Sequence, residues 1–95
     1  MQTLHSGYVL KYLTISRKAL QAAQAAPEEH TFSDARELFL DTIQRYLDDA
    51  EHFQKEEDYV HAFAAINYAH GWLDAGARLG LWIVRDSRLF AVDDA

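Results

Sequence analysis

The stretch DYVHAFAAINYAHGWLDAGARLGL, residues 58–81, decides the fold. Within it Ala62, Ile66, Ala69 and Leu73 recur at steps of three and four, the spacing that stacks side chains along one helical face. Asp58 stands where a capping carboxylate meets the first free amides of a helix, and Gly80 stands where one stops. A helix is therefore expected over Tyr59–Leu79. Tyr68, Trp72 and Leu79 fall on a second face, so this helix is apolar on two sides. In a chain of 95 residues such a helix is either central to a bundle or packed on one side against the tail or a partner. Gly71 and Gly76 each cost about 1 kcal/mol relative to alanine inside a helix, which points to close approach there.

Upstream, the run Glu56-Glu57-Asp58 is too polar to bury and forms a tight reversal. Before it, Ala35, Leu38, Phe39, Ile43, Tyr46, Leu47, Ala50 and Phe53 make a nearly heptad seam, with Asp41, Arg45, Asp48, Asp49 and Glu51 outside it. This second helix spans about residues 33–55, with Thr31 or Ser33 as its cap and Asp34 and Glu37 complementing its dipole. The first helix covers about residues 4–26. Leu4, Tyr8, Tyr12, Ile15, Ala19 and Ala22 share one face and Val9, Leu13, Ser16 and Leu20 form a neighbouring stripe, so the apolar arc of this helix is broad. Pro27 ends it, because the residue before a proline avoids helical geometry, and Glu28–Thr31 connect it onward. The tail, residues 81–95, opens with Leu81-Trp82-Ile83-Val84 and continues with Leu89-Phe90-Ala91-Val92, too apolar to stay solvated. It is expected to fold back or to meet another subunit. The whole is an all-α, antiparallel up-down-up three-helix bundle in one domain, residues 1–95, with a short apolar C-terminal tail.

Composition narrows the function. Apolar residues make up 49% and charged residues 25%, with one proline and four glycines, a globular composition. The absence of cysteine excludes disulfides, thiolate nucleophiles and zinc-finger or iron–sulfur ligation, and suits a reducing compartment, so a cytoplasmic location is expected. The first seven residues lack a signal-peptide pattern, and no run reaches the roughly 18 apolar residues of a membrane span. Net charge is −6, arranged as +3 over residues 1–26, −8 over 27–58 and −1 over 59–95. Opposite charge on consecutive helices suits antiparallel neighbours. Three basic residues on one helix are too few for phosphate recognition, so nucleic acid is not an expected partner.

The residues that could carry chemistry lie on the third helix. Asn67, His70, Asp74 and Arg78 share one face, with Asp74 able to reach His70 or Arg78 at one-turn spacing. Buried between helices, the stripe is a hydrogen-bonded network that fixes register. Opened into a pocket, it is a small-ligand or anion site with His70 as acid or base, Asp74 as its orienting carboxylate and Arg78 as the clamp. No nucleophile stands nearby, no catalytic residue is assigned, and nucleotide, hydrolase and metalloprotease motifs are absent. Asp48, Asp49 and His52 have an Asp-x-x-His spacing, but bundle metal sites gather such motifs from several helices and this chain offers one. No metal or other cofactor is expected. Most aromatic residues belong to the core, while Tyr68, Trp72, Leu79, Leu81 and Trp82 are candidates for a partner surface.

The segment Asp58–Phe63 followed by Asn67–Leu81, with Tyr-Ala-His-Gly at 68–71 and Leu-Asp-Ala-Gly-Ala-Arg-Leu-Gly at 73–80, resembles the archaeal Domain of Unknown Function 357 family. The resemblance implies a small antiparallel three-helix bundle and carries no activity, substrate or cofactor. Family members tend to have Gly-Asp before the tyrosine, where this chain has Glu57-Asp58. The second and third helices also resemble one tetratricopeptide unit, but about three copies are needed to bury a continuous core and no 34-residue period is present. The function expected is a non-enzymatic protein-interaction or assembly module, a homo-oligomer or one half of a complex. The alternative is a small-ligand or anion site on the stripe.

Overall fold

In the computed structural model, which describes residues 4–27 and 33–92, three helices follow in order: α1 (Ser6–Ala25), α2 (Ser33–Lys55) and α3 (Tyr59–Leu79). The α2 and α3 bounds are those expected from sequence, while α1 begins two residues later and ends one earlier. His5 caps α1, its Nδ1 accepting from Tyr8 N at 3.3 Å, and Ala26 turns extended ahead of Pro27. The connection Glu28–Thr31, the capping side chains expected at Thr31 or Ser33, and the end of the tail at 93–95 fall outside what is described. No helix among the described residues is long and apolar enough to cross a membrane.

The helices alternate in direction. The start of α1 meets the end of α2 where Gln54 Nε2 donates to Ser6 Oγ at 2.8 Å. At the other end Arg36, on the first turn of α2, donates to Ala23 O and Gln24 O at the end of α1. Between them Arg17 of α1 reaches Asp48 at 3.3 Å and Glu51 at 2.8 Å, the opposite charges of the two segments meeting side by side.

The reversal between α2 and α3 is closed by Glu57 N and Asp58 N donating to Gln54 O and Phe53 O. This geometry puts Glu57 at φ 60°, the left-handed region that favours glycine. Asp58 then caps α3 by accepting from His61 N, as its position suggested.

Val9, Leu13, Ala19, Leu20 and Ala23 of α1, Ile43, Leu47 and Ala50 of α2, and Ala62, Ile66, Ala69 and Leu73 of α3 form the core. Within the broad apolar arc of α1 the buried residues are Val9, Leu13, Ser16, Ala19, Leu20 and Ala23. Tyr8 and Tyr12 are displaced to the rim, where they pack with Phe63 at ring-centroid distances of 5.6 Å. Bulky rings fit a margin, and the close contact between helices is left to smaller side chains.

The remainder of the core comes from the tail. Gly80 adopts φ 79° and ends α3 with Gly80 N donating to Ala77 O and Leu81 N to Gly76 O. The chain turns back, and Leu81, Trp82 and Phe90 are all buried. Trp82 lies against Gly76, where any β-carbon would collide with the indole, and its Nε1 donates to Leu73 O at 3.0 Å. Close helix approach was expected at Gly71 and Gly76; at Gly76 what approaches is the tail, and at Gly71 a β-carbon would meet nothing within 4 Å. Arg36 Nη1 donates to Leu81 O at 2.7 Å and Ile83 N to Pro27 O at 2.8 Å, so the tail is tied to the ends of both α1 and α2.

Candidate functional site

Two regions of α3 compete for a functional role, and they lie on different sides of the helix. The first is the polar stripe. Ser16, placed in the buried line of α1, has 2% of its surface exposed, so its hydroxyl needs a partner. His70 Nδ1 supplies one at 3.1 Å. His70 Nε2 lies 2.7 Å from Leu89 O; since a carbonyl can only accept, Nε2–H donates, and in the neutral ring Nδ1 accepts from the Ser16 hydroxyl. One turn further, Asp74 Oδ1 accepts from Ala91 N at 2.8 Å and stands 3.8 Å from His70 Nε2.

His70 and Asp74 therefore hold the tail backbone on both sides of Phe90, whose ring is buried. An open groove of about 560 Å³ runs beside them between α1, α3 and the tail. Of the other two stripe residues, Asn67 stands exposed at its edge. Arg78 is exposed next to Phe90, Ala91 and Val92 and forms no ion pair with Asp74. The structure thus brings together two of the four expected residues and gives both of them tail backbone as a partner.

The tail's own turn is held by Asp86. Arg88 donates to this carboxylate through Nε and Nη2, and Arg88 N donates as well. The side-chain bonds first, then the backbone bond, hold the Asp86 carboxyl below its ordinary value.

The second region is aromatic. Phe39 packs edge-on to Trp72 at 4.7 Å, Tyr46 tilts against Tyr68 at 4.6 Å, and Tyr68 and Trp72 stand 6.3 Å apart. Phe39, Tyr68 and Trp72 wall a shallow trough of about 400 Å³ that also includes Asn67, Gly71 and Ala75. Tyr68 is 52% exposed and Leu79 56%, and a β-carbon on Gly71 would meet nothing within 4 Å.

Of the five residues expected at a partner surface, Tyr68, Trp72 and Leu79 lie on this side of α3. Leu81 and Trp82 do not: the turn at Gly80 carries them into the chain's own core, 1% and 0% exposed, which corrects that part of the expectation. Of the residues read from sequence as the α2 seam, Phe39 supplies the other wall and Tyr46 packs against Tyr68. The Asp-x-x-His set is dispersed, with Asp48 engaged by Arg17 and Gln44 and His52 by Glu56. Among the described residues no group of three or more His, Asp or Glu is placed to hold a metal ion.

Sequence reading missed Ser16 and Arg36 as polar anchors. The signal for Ser16 was present, a hydroxyl in the middle of an apolar line. Arg36 had none, since its three carbonyl partners lie 12 to 45 residues away.

A family model described as "Protein of unknown function (DUF357)" matches residues 11–82. No curated protein and no solved structure matches the chain significantly.

Proposed function

Since the chain belongs to the DUF357 family, whose description names no activity, we propose from the geometry that it is a non-enzymatic assembly module. It works through the aromatic side of α2 and α3. The observation that carries this reading is the pair of exposed rings Tyr46 and Tyr68, packed on each other beside the half-buried Trp72 and the open Gly71. Aromatic side chains that combine a large apolar body with a polar tip are the usual anchors of protein contacts. A flat strip of small residues beside them fits a helix laid along the trough. The occupant is thus a helical protein surface of low charge, in keeping with a cysteine-free, cytoplasmic chain.

The stripe supports the small-ligand reading less well. His70 and Asp74 already satisfy Ser16, Leu89 and Ala91, and Arg78 lines a different cavity from the groove beside them.

A photo-reactive phenylalanine analogue placed at Tyr68, with a control at Glu37, tests the reading in cells expressing the chain. Covalent protein adducts are expected from position 68 and not from 37. Equal labelling from both positions, or none from 68, would overturn it.

A further inference from the structure

We propose that the groove beside His70 and Asp74 is a second docking site, for an extended segment of another protein that presents an aromatic side chain, and that residues 83–92 are a displaceable strap now occupying it.

The strap is held as a bound peptide is held. Between 83 and 92 Phe90 alone is buried, while Ile83, Arg85, Ser87, Arg88 and Ala91 are exposed and no helix or strand forms. The bundle grips the main chain on either side of that ring. His70 Nε2–H donates to Leu89 O at 2.7 Å, and Asp74 Oδ1 accepts from Ala91 N at 2.8 Å. Main-chain bonds beside a side-chain pocket are how extended peptides are recognised, the bonds supplying affinity and the pocket selecting the ring. Neither bond depends on which side chains stand at 89 and 91.

The grip is set by the bundle and does not need the strap. Ser16 of α1, 2% exposed, gives its hydroxyl to His70 Nδ1 at 3.1 Å. That bond fixes the tautomer, so Nε2 carries its proton whether or not a carbonyl is there to accept it. A hydroxyl in an apolar line costs stability, and a donor set in advance for a carbonyl is what it provides. Trp82 differs, being fully buried and fitted against Gly76 as part of the permanent core.

The strap also underfills its site. With it in place a groove of about 560 Å³ stays open along Tyr12, Ile15, Ser16, Ile66, Asn67 and Gly71. The strap of a second copy would leave the same space empty. A longer segment of a different protein fills it with side chains beyond its aromatic anchor, and displaces the strap through contacts the strap does not make. The groove and the aromatic trough lie on different sides of α3, so the outcome here is independent of labelling at Tyr68.

Hydrogen exchange and peptide binding on the full chain test this. In the unmodified chain the Phe90 and Ala91 amides should exchange at least tenfold faster than those of Ile66 and Leu73, through local opening of the strap. Equal rates would make the strap one cooperative unit with the helices and overturn the proposal.

A fluorescein-labelled peptide of residues 84–92 should bind the Phe90→Ala chain at least tenfold more tightly than the unmodified chain, where the tethered strap competes at high effective concentration. Replacing the peptide's own phenylalanine by alanine should abolish binding. So should N-methylation of the alanine that follows it, or Asp74→Ala added to the chain. Circular dichroism confirms folding; if Phe90→Ala unfolds the chain, Asp86→Ala takes its place, since Asp86 holds the turn of the strap and does not line the groove. A folded variant that binds no peptide, or that binds the alanine peptide equally well, would overturn the site. A dimer of the unmodified chain that Phe90→Ala abolishes would give the groove to the strap of a second copy and overturn its assignment to another protein.

Discussion

The indole of Trp82 occupies the space that a β-carbon on Gly76 would need, and it anchors there by donating to Leu73 O at 3.0 Å. The absence of a side chain in α3 and the largest side chain of the tail are one packing unit. Gly76→Ala should therefore destabilise the fold by about 2 kcal/mol or more, since a buried ring without free space has no relaxed position to take. Gly71→Ala, five residues earlier on the same helix, should instead stabilise the monomer by up to about 1 kcal/mol. Chemical denaturation of both variants in dilute solution checks the pair; two changes of the same sign would contradict the packing described.

Glu57 adopts φ 60° in the α2–α3 reversal. A residue with a β-carbon loses about 1–2 kcal/mol in that conformation, part of which glycine returns as unfolded-state entropy. Glu57→Gly should raise stability by about 1 kcal/mol. For a domain of this size that is about 4–8 °C in the thermal midpoint, measurable by calorimetry.

His70 satisfies a buried hydroxyl and a tail carbonyl at once. His70→Ala should cost about 1–3 kcal/mol through the unsatisfied groups it leaves. Asp74→Ala removes only the acceptor of Ala91 N, so its main effect should be local, faster hydrogen exchange at that amide. If amides across α1 and α2 speed up equally in the Asp74 variant, the carboxylate does more than tether the tail.

The Asp86 carboxyl is held below its ordinary value of 3.8, chiefly by the Arg88 side chain. A depressed folded-state pKa means that its contribution is complete above the unfolded value and is lost as pH falls through the folded one. The Asp86–Phe90 turn should therefore stay intact at pH 5 and loosen only under more acidic conditions. A carbon-detected titration of Asp86 with a midpoint at or above 3.8 would show that the Arg88 bonds do not persist in solution.

Much of this architecture is legible in the residues. Asp58 and Gly80 mark the ends of α3 because capping is local chemistry, written within three or four positions of the boundary. The apolar arc of α1 was legible as broad, but not which part of it is buried. Periodicity weighs Tyr8 and Tyr12 as heavily as Val9 and Leu13, and only packing shows that two rings cannot enter the space that valine and leucine fill. The tail was legible as apolar but not as docked. Its partners are set by tertiary contact, Gly76 for Trp82, Asp74 for Ala91 and Arg36 for Leu81, and no spacing rule encodes a donor matched to a carbonyl 45 residues away. For the candidate site, Tyr68, Trp72 and Leu79 were readable as a second apolar side of one helix. That α2 would complete the wall with Phe39 and pack Tyr46 against Tyr68 was not.

Because Trp82 and Phe90 close the core from beyond the third helix, the molecule has an order in time as well as in space. A ribosome adding about 5–20 residues per second delivers all three helices before the indole that fills the gap at Gly76. During that interval the nascent bundle carries an open apolar slot, and its final closure waits for Phe90 to emerge. A pause or premature stop between codons 80 and 90 would therefore leave helices with no finished interior, a natural substrate for chaperones.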